Sequence, residues 1–416
     1  MDIIRKIMIR LEIKDYRILR HRFSITTFTG FAANEVVFDE DVYKNIEFIY
    51  LIFNYNGLFH KVVFPPSDEY TVAMLVSKCI EHNRCSIGYP SGHMRIEPRQ
   101  NMQESSQKKN ELVRSQINKE LMLCSEKYNL TKLMFVHTLI CHYVSFLDSH
   151  EEYEQIVNKH HIYLKWEDED GYPNEVFEVQ HSLHRGYADI IDSIMPSDNI
   201  EEIDASVLSF RQLQGLVLFE ADVLKLFFEP LVDCLNGYNI CIDSVFIRKE
   251  DFGTKIFDSK VTITDNPFMN CQSVIDDEGS ALISKRLIDG GVLVQCLNDL
   301  VSASLLNQCA GNAVYSESKN SIEIECSFWD VTINPIVHDC TPDIRIIGVE
   351  NDFVYLDVET GNMSCTVIGL DVKRNTYHRF HLVENFVTFI NRIHCSTGNT
   401  VVIGRMRLPD TILNFN

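Results

Sequence analysis

A chain of 416 residues with 45% hydrophobic and 23% charged residues is a folded protein, long enough for two or more domains with their own cores. Its net charge of −21 argues against nucleic acid as a partner, because such binding needs a concentrated cationic surface. The 13 cysteines include no Cys-x-x-Cys pair, which disfavours a zinc ribbon and fits the reduced core thiols of a cytoplasmic protein.

The first 23 residues scatter charges among their apolar positions, which suits neither a signal peptide nor a membrane span. Residues 23–29, 35–38 and 48–53 concentrate β-branched and aromatic side chains and predict strands. A turn over 54–57 leads to a strand over 58–64, which Pro65 and Pro66 stop. Ser67 is placed to cap a helix over 69–82, with Val72, Leu75, Val76 and Cys79 on one face. Residues 83–109 read as a loop or connector, and a helix follows over 110–128 with Leu112, Ile117, Leu121 and Leu123 as its apolar residues. Strands are expected over 130–147, 156–158, 162–166 and 176–180, with a turn at 168–171. The apolar run 133–147 is interrupted by His137 and His142 and is too short to span a membrane. Pro196 and the acidic residues after it read as a linker, so the division falls between a domain over 1–195 and one over 196–416.

The second half opens with a short strand over 216–219 and a helix over 221–235, whose Val223, Leu224, Phe227, Leu231 and Leu235 recur at helical spacing. Asn236 and Gly237 end it. Residues 276–311 hold an acidic turn (Asp276, Asp277, Glu278, Gly279), a second turn (Asp289, Gly290, Gly291), a strand over 292–297 and a helix over 300–307. Most of the rest reads as strand, and no period of a solenoid repeats. The expected fold class is α+β: an N-terminal α/β domain, then a β-rich C-terminal domain with a few helices.

Few strings carry chemistry on their own. The nucleophile elbow, the P-loop and the dinucleotide fingerprint are all missing. His160 and His161 are adjacent in a strand and so face opposite ways. His181 with His184, and His378 with His381, sit among β-like neighbours and read as ordinary surface or core histidines. His137 and His142 read as satisfied core or edge residues. Asp276, Asp277 and Glu278 lack the spacing of a calcium loop and read as a solvated turn.

Longer strings carry a resemblance. LVLFEADVLKLFFEPLVDCLNG over 216–237 and NPFMNCQSVIDDEGSALISKRLIDGGVLVQCLNDLVSASLLN over 266–307 resemble the TldD/PmbA family, also called modulators of DNA gyrase. The likeness continues to Leu413 and is faint in the N-terminal half, where residues 150–166 stand in place of the family's Asn-Ser-x-Gly turn. The resemblance implies a two-domain chain and a dimer around a central cavity. TldD-type chains of the family carry His-Glu-x-x-x-His on the helix after the short strand, with a later Cys as a further ligand. Two imidazoles and a thiolate hold a divalent metal and leave a position for water, and the Glu serves as general base. TldE-type chains lack the motif and pair with a TldD chain.

In this sequence the motif window falls on residues 228–233, with Phe228, Glu229 and Asp233 at the positions of the first His, the Glu and the second His. Pro230 disturbs the helix within it. Cys395 lies near the place of the family's Cys. One Glu, one Asp and a distant Cys make a poor zinc site. The resemblance therefore implies a non-catalytic TldE/PmbA-like subunit, with no catalytic residue, metal or cofactor of its own. Zinc or a similar divalent metal is expected in a TldD-type partner, with which it forms a cytosolic peptidase for unfolded or leader peptides. Two further readings stand beside this one: a catalytically dead homodimeric peptide-binding protein, and an autonomous metallopeptidase using Glu229, Asp233 and Cys395. Neither nucleic acid nor membrane is an expected partner.

Overall fold

The structure is a computed structural model that describes the chain except residues 33–35, 57, 83–105, 129–132, 149–151, 168–172, 181–185, 188–189, 191–206, 210–212, 270–273, 317–320, 339 and 416. The chain divides into two compact units, Met1–Asn199 with Asn270–Gly279, and Ile200–Met269 with Ser280–Asn416. Asn270–Gly279 thus packs with the first unit, although it lies within the second stretch of sequence. The expected boundary at 195/196, the turn at 168–171 and the pair His181 and His184 lie outside the described residues.

The first unit is built on a six-stranded sheet of β1 (Tyr16–Ala32), β2 (Val36–Tyr55), β3 (Leu58–Phe64), β4 (Leu133–Asp148), β5 (Glu152–Glu167) and β6 (Pro173–Gln180), in the order β3-β2-β1-β4-β5-β6. Every pairing is antiparallel, so the helices cover a face rather than crossing between parallel strands. Alternation sorts the side chains into two faces. Ile18, Phe28, Leu51, Phe53, Phe135, Leu139, Leu147, Ile162 and Leu164 belong to the face that carries helices α1 (Asp2–Arg10), α2 (Glu69–His82) and α3 (Ser106–Tyr128).

Helix α1 was not expected from the sequence, yet Ile4, Ile7 and Met8 are buried at helical spacing between its charges. In α3 the buried stripe is Val113, Ile117, Leu121 and Cys124, while Leu112 and Leu123 are exposed. The expected apolar set therefore shared two residues with the true one and was off the packed face at the others.

The second unit holds β7 (Val207–Ser209), β8 (Leu216–Phe219), β9 (Val261–Asp265), β10 (Lys285–Asp289), β11 (Val292–Leu293), β12 (Ala313–Ser316), β13 (Ser321–Ile324), β14 (Trp329–Ile333), β15 (Ile344–Val349), β16 (Tyr355–Leu356), β17 (Asn362–Asp371), β18 (Thr376–Asn385), β19 (Ile393–Ile403) and β20 (Met406–Asn414). Its main sheet runs β11-β10-β9-β14-β20-β8-β15-β17-β18-β7, with β16 on β17 and β19 on β20. The expected single helix over 221–235 is broken into α4 (Ala221–Phe228) and α5 (Leu231–Cys234), followed by α6 (Gly237–Cys241). Pro230 stands at the break, where it removes an amide donor and caps the second piece. Helix α7 (Leu300–Leu306) is capped by Asp299, whose carboxylate accepts from Ser302 N at 2.7 Å, and ends on the left-handed Asn307.

A buried polar net ties the stretch after the acidic turn into this unit. Lys285, fully buried on β10, donates to Asn312 Oδ1, and Asn312 Nδ2 donates to Asp265 Oδ2 at 2.6 Å. Asp265 Oδ1 accepts from Ser327 N and Phe328 N, both at 3.0 Å. Every member has a partner, as a buried charge requires. At the second turn, a Cβ on Gly291 would collide with the Phe257 carbonyl, and its φ is +80°, so glycine is required there.

Candidate functional site

The helix on which the resemblance places the family's metal motif and the acidic turn differ in what folding does with their side chains.

Helix α4 packs against β15, β19 and β20. Phe228 closes it, fully buried, with its ring edge-on to Phe386 at a centroid distance of 6.4 Å. An imidazole at this position would have to exchange that packing for a polar contact. Glu229 points to the surface and pairs with Lys225 one turn back at 3.1 Å. Asp233 is exposed on α5. Cys395 is buried on β19, and burial, with the Cys340 thiol beside it, pushes the Cys395 thiol up to about 11. A thiol held protonated is a poor metal ligand. Among the described residues, Glu229, Asp233 and Cys395 do not converge as a ligand set. The residues present do not fit the family's metal centre.

The acidic turn departs from the expectation of a solvated loop. Glu278 is fully buried and Asp276 is 5% exposed. The reason is specific partnering. Tyr50 OH donates to Glu278 Oε1 at 2.6 Å, and Lys61 Nζ lies 3.7 Å from the same oxygen. Asp276 Oδ1 accepts from Glu278 N at 3.0 Å, and Gly279 N donates to Asp276 O at 3.0 Å, which closes the turn. Gly279 has φ +74°, and a Cβ there would stand 2.6 Å from Phe146 and 3.3 Å from Leu19. The turn therefore sits against the sheet face that bears Leu19, His21, Phe23, Phe48, Tyr50, His142 and Phe146, opposite the helices.

Two histidines of that face meet the turn. His21 on β1 and His142 on β4 share a hydrogen bond, Nδ1 to Nε2, at 2.9 Å. His142 Nδ1 lies 3.7 Å from Asp277 Oδ1, an ion-pair distance rather than a hydrogen bond. His21 stacks on Phe48 at 4.8 Å and His142 on Phe23 at 4.0 Å. Burial lowers His21 to about 4, against the opposing pull of the Asp277 carboxylate, so it is neutral at pH 7. The Asp277 backbone acts on His21 as well. Sequence reasoning missed this group, because its members are 121 residues apart at the closer pair. The only local hint was polar residues inside strongly apolar strands.

His137, His160, His378 and His381 follow the bland expectation. On the helix-covered face, His137 Nε2 meets His160 Nδ1 at 3.0 Å, and His137 Nδ1 meets Tyr187 OH. Burial, with His160 and His161 adding to it, lowers His137 to about 3. His378 and His381 lie on β18, bonded to Thr376 at 2.9 Å and Thr366 at 3.4 Å.

Residues 214–412 match the family model of the PmbA/TldA metallopeptidase C-terminal domain. No curated protein matches the chain. Solved structures match along its length. A candidate modulator of DNA gyrase from Bacteroides thetaiotaomicron is 12% identical, with a TM-score of 0.72 over 99% of this chain and 97% of that one. TldE from Thermococcus kodakarensis is 14% identical, with a TM-score of 0.71 over 99% and 98%. A candidate modulator of a DNA gyrase from Thermotoga maritima is 13% identical, with a TM-score of 0.72 over 99% and 98%. At such identities these three likenesses establish the fold.

Proposed function

Residues 214–412 belong to the TldD/PmbA metallopeptidase family and the whole chain has its fold, and on that premise we propose that the protein is the TldE/PmbA-type, non-catalytic subunit of a peptidase. The observation that carries this reading is Phe228. Where a metal-bearing chain needs an imidazole, this chain places a fully buried ring in its core, and the two carboxylates that follow are turned outward. A TldD-type partner supplies the metal, and no step of the reaction runs through this chain's motif window. This chain's own part is to line the cavity, to make the dimer contacts, and to hold an unfolded or leader peptide by strand addition at a sheet edge.

Co-expression with a chain that carries His-Glu-x-x-x-His tests the proposal. The expected result is a stoichiometric complex that hydrolyses a peptide which neither chain cleaves alone. A chain that purifies only as a homodimer and binds peptides without cleaving them would make it a homodimeric peptide-binding protein. Hydrolysis by this chain alone, lost on Glu229→Gln or Cys395→Ser, would make it an autonomous peptidase.

A further inference from the structure

We propose that His21, His142 and Asp277 form a binding site for one divalent cation of the zinc class, separate from the family's motif window. The donor set is two imidazoles and a carboxylate, the chemistry of zinc, cobalt and nickel sites. One donor atom of each residue lies within 4.8 Å of the other two, and among the described residues this is the group of three His, Cys, Asp or Glu side chains so disposed. Around a tetrahedral ion with bonds of about 2.0–2.1 Å, neighbouring ligand atoms stand roughly 3.3 Å apart. The 2.9 Å between His21 Nδ1 and His142 Nε2 is near that spacing, while the 3.7 Å to Asp277 is measured from the other nitrogen of His142.

His142 spans its neighbours, Nε2 toward His21 and Nδ1 toward Asp277. Coordination uses one of these nitrogens, so the ion takes the place of one contact and keeps the three residues joined. The surroundings hold the donors near their places. Both rings are stacked on phenylalanines of adjoining strands, and Asp277 stands in a turn closed by Asp276.

His21 is wholly buried, and both the carboxylate and the backbone of Asp277 act on its imidazole, which ties it to the same turn. The charge of the turn agrees in sign. Asp276, Asp277 and Glu278 bring three carboxylates onto this face, with Lys61 beside Glu278 and His142 beside Asp277. Asp277, the least buried of the three donors, gives the ion its way in, and water completes its coordination there.

Zinc titration of the chelator-treated full chain by calorimetry tests the proposal, together with the absorption spectrum of the cobalt-loaded protein. One equivalent of zinc is expected, with a cobalt spectrum of four-coordinate nitrogen and oxygen ligation and no thiolate charge-transfer band. His21→Gln and Asp277→Asn should each weaken zinc binding at least tenfold, and Cys395→Ser should leave it unchanged. Failure of the wild-type chain to bind an equivalent, or a thiolate band in its spectrum, overturns the proposal without reference to any variant. So does unchanged affinity in a folded His21→Gln chain, checked by circular dichroism. None of these results depends on whether the chain pairs with a TldD-type subunit.

Discussion

The motif-window helix and the acidic turn lie fewer than sixty residues apart in sequence, and folding reverses what each string suggests. Residues 228–233 stand where the resemblance places a metal motif, yet Phe228 goes into the core while Glu229 and Asp233 go out to solvent. The turn at 276–279 looks like an ordinary solvated corner, yet its carboxylates are the ones taken into the interior, against tyrosine, lysine and histidine. A motif is a statement about spacing along one helix. A site is a statement about what other strands bring to it.

The largest effect is expected at Phe228. Phe228→Ala should cost about 3–5 kcal/mol, as for a fully buried aromatic residue, and should lower the unfolding midpoint of the second unit. A change near zero would mean that the ring is not a core element and would reopen the motif window.

Acid should act next, on the sheet that carries the turn. His21 titrates at about 4 in the folded chain, below its ordinary 6.5. A histidine kept neutral by the fold gives up stability when the unfolded chain gains the proton first. Stability is therefore whole above pH 6.5 and falls as the pH drops from there to about 4, by a few kcal/mol. His137, lowered to about 3, adds to the same decline and carries it further. Urea midpoints measured from pH 7.5 to 4.5 should show the slope, and His21→Gln should flatten part of it.

Tyr50→Phe removes a hydrogen bond to a buried carboxylate and should cost about 1.5–3 kcal/mol, since Glu278 would keep its burial and lose a partner. An effect near zero would return the turn to the solvated class. The smallest effect is expected from Glu229→Ala, about 0.5 kcal/mol or less, because its ion pair with Lys225 is a surface pair one helical turn apart. Thermal melts of the two variants side by side would place the buried and the exposed carboxylate on one scale.

Much of the fold was legible before any coordinates. Strings rich in β-branched, aromatic and other apolar residues marked β4 and parts of β2 and β5, Pro230 marked the break between α4 and α5, and Gly290 with Gly291 marked the β10 to β11 turn. The misses have physical causes. Charges between Ile4, Ile7 and Met8 hid a helix whose inner face alone is packed. The stripe of α3 was misjudged because Leu112 and Leu123 are apolar but exposed, and apolarity does not by itself say which side faces the sheet.

What the sequence determined by itself was local: where strands and helices start and stop, the family strings over 216–307, and the loss of imidazoles from the motif window. Those properties rest on backbone sterics and on side-chain periodicity, which act over a few residues. Only the tertiary structure decided that Asp277 meets His142 and His21, and that Glu278 meets Tyr50 across 228 residues. Such contacts depend on the order and register of β1, β2 and β4 and on the docking of the turn against their face. The burial of a charge is likewise set by what surrounds it once the chain has closed.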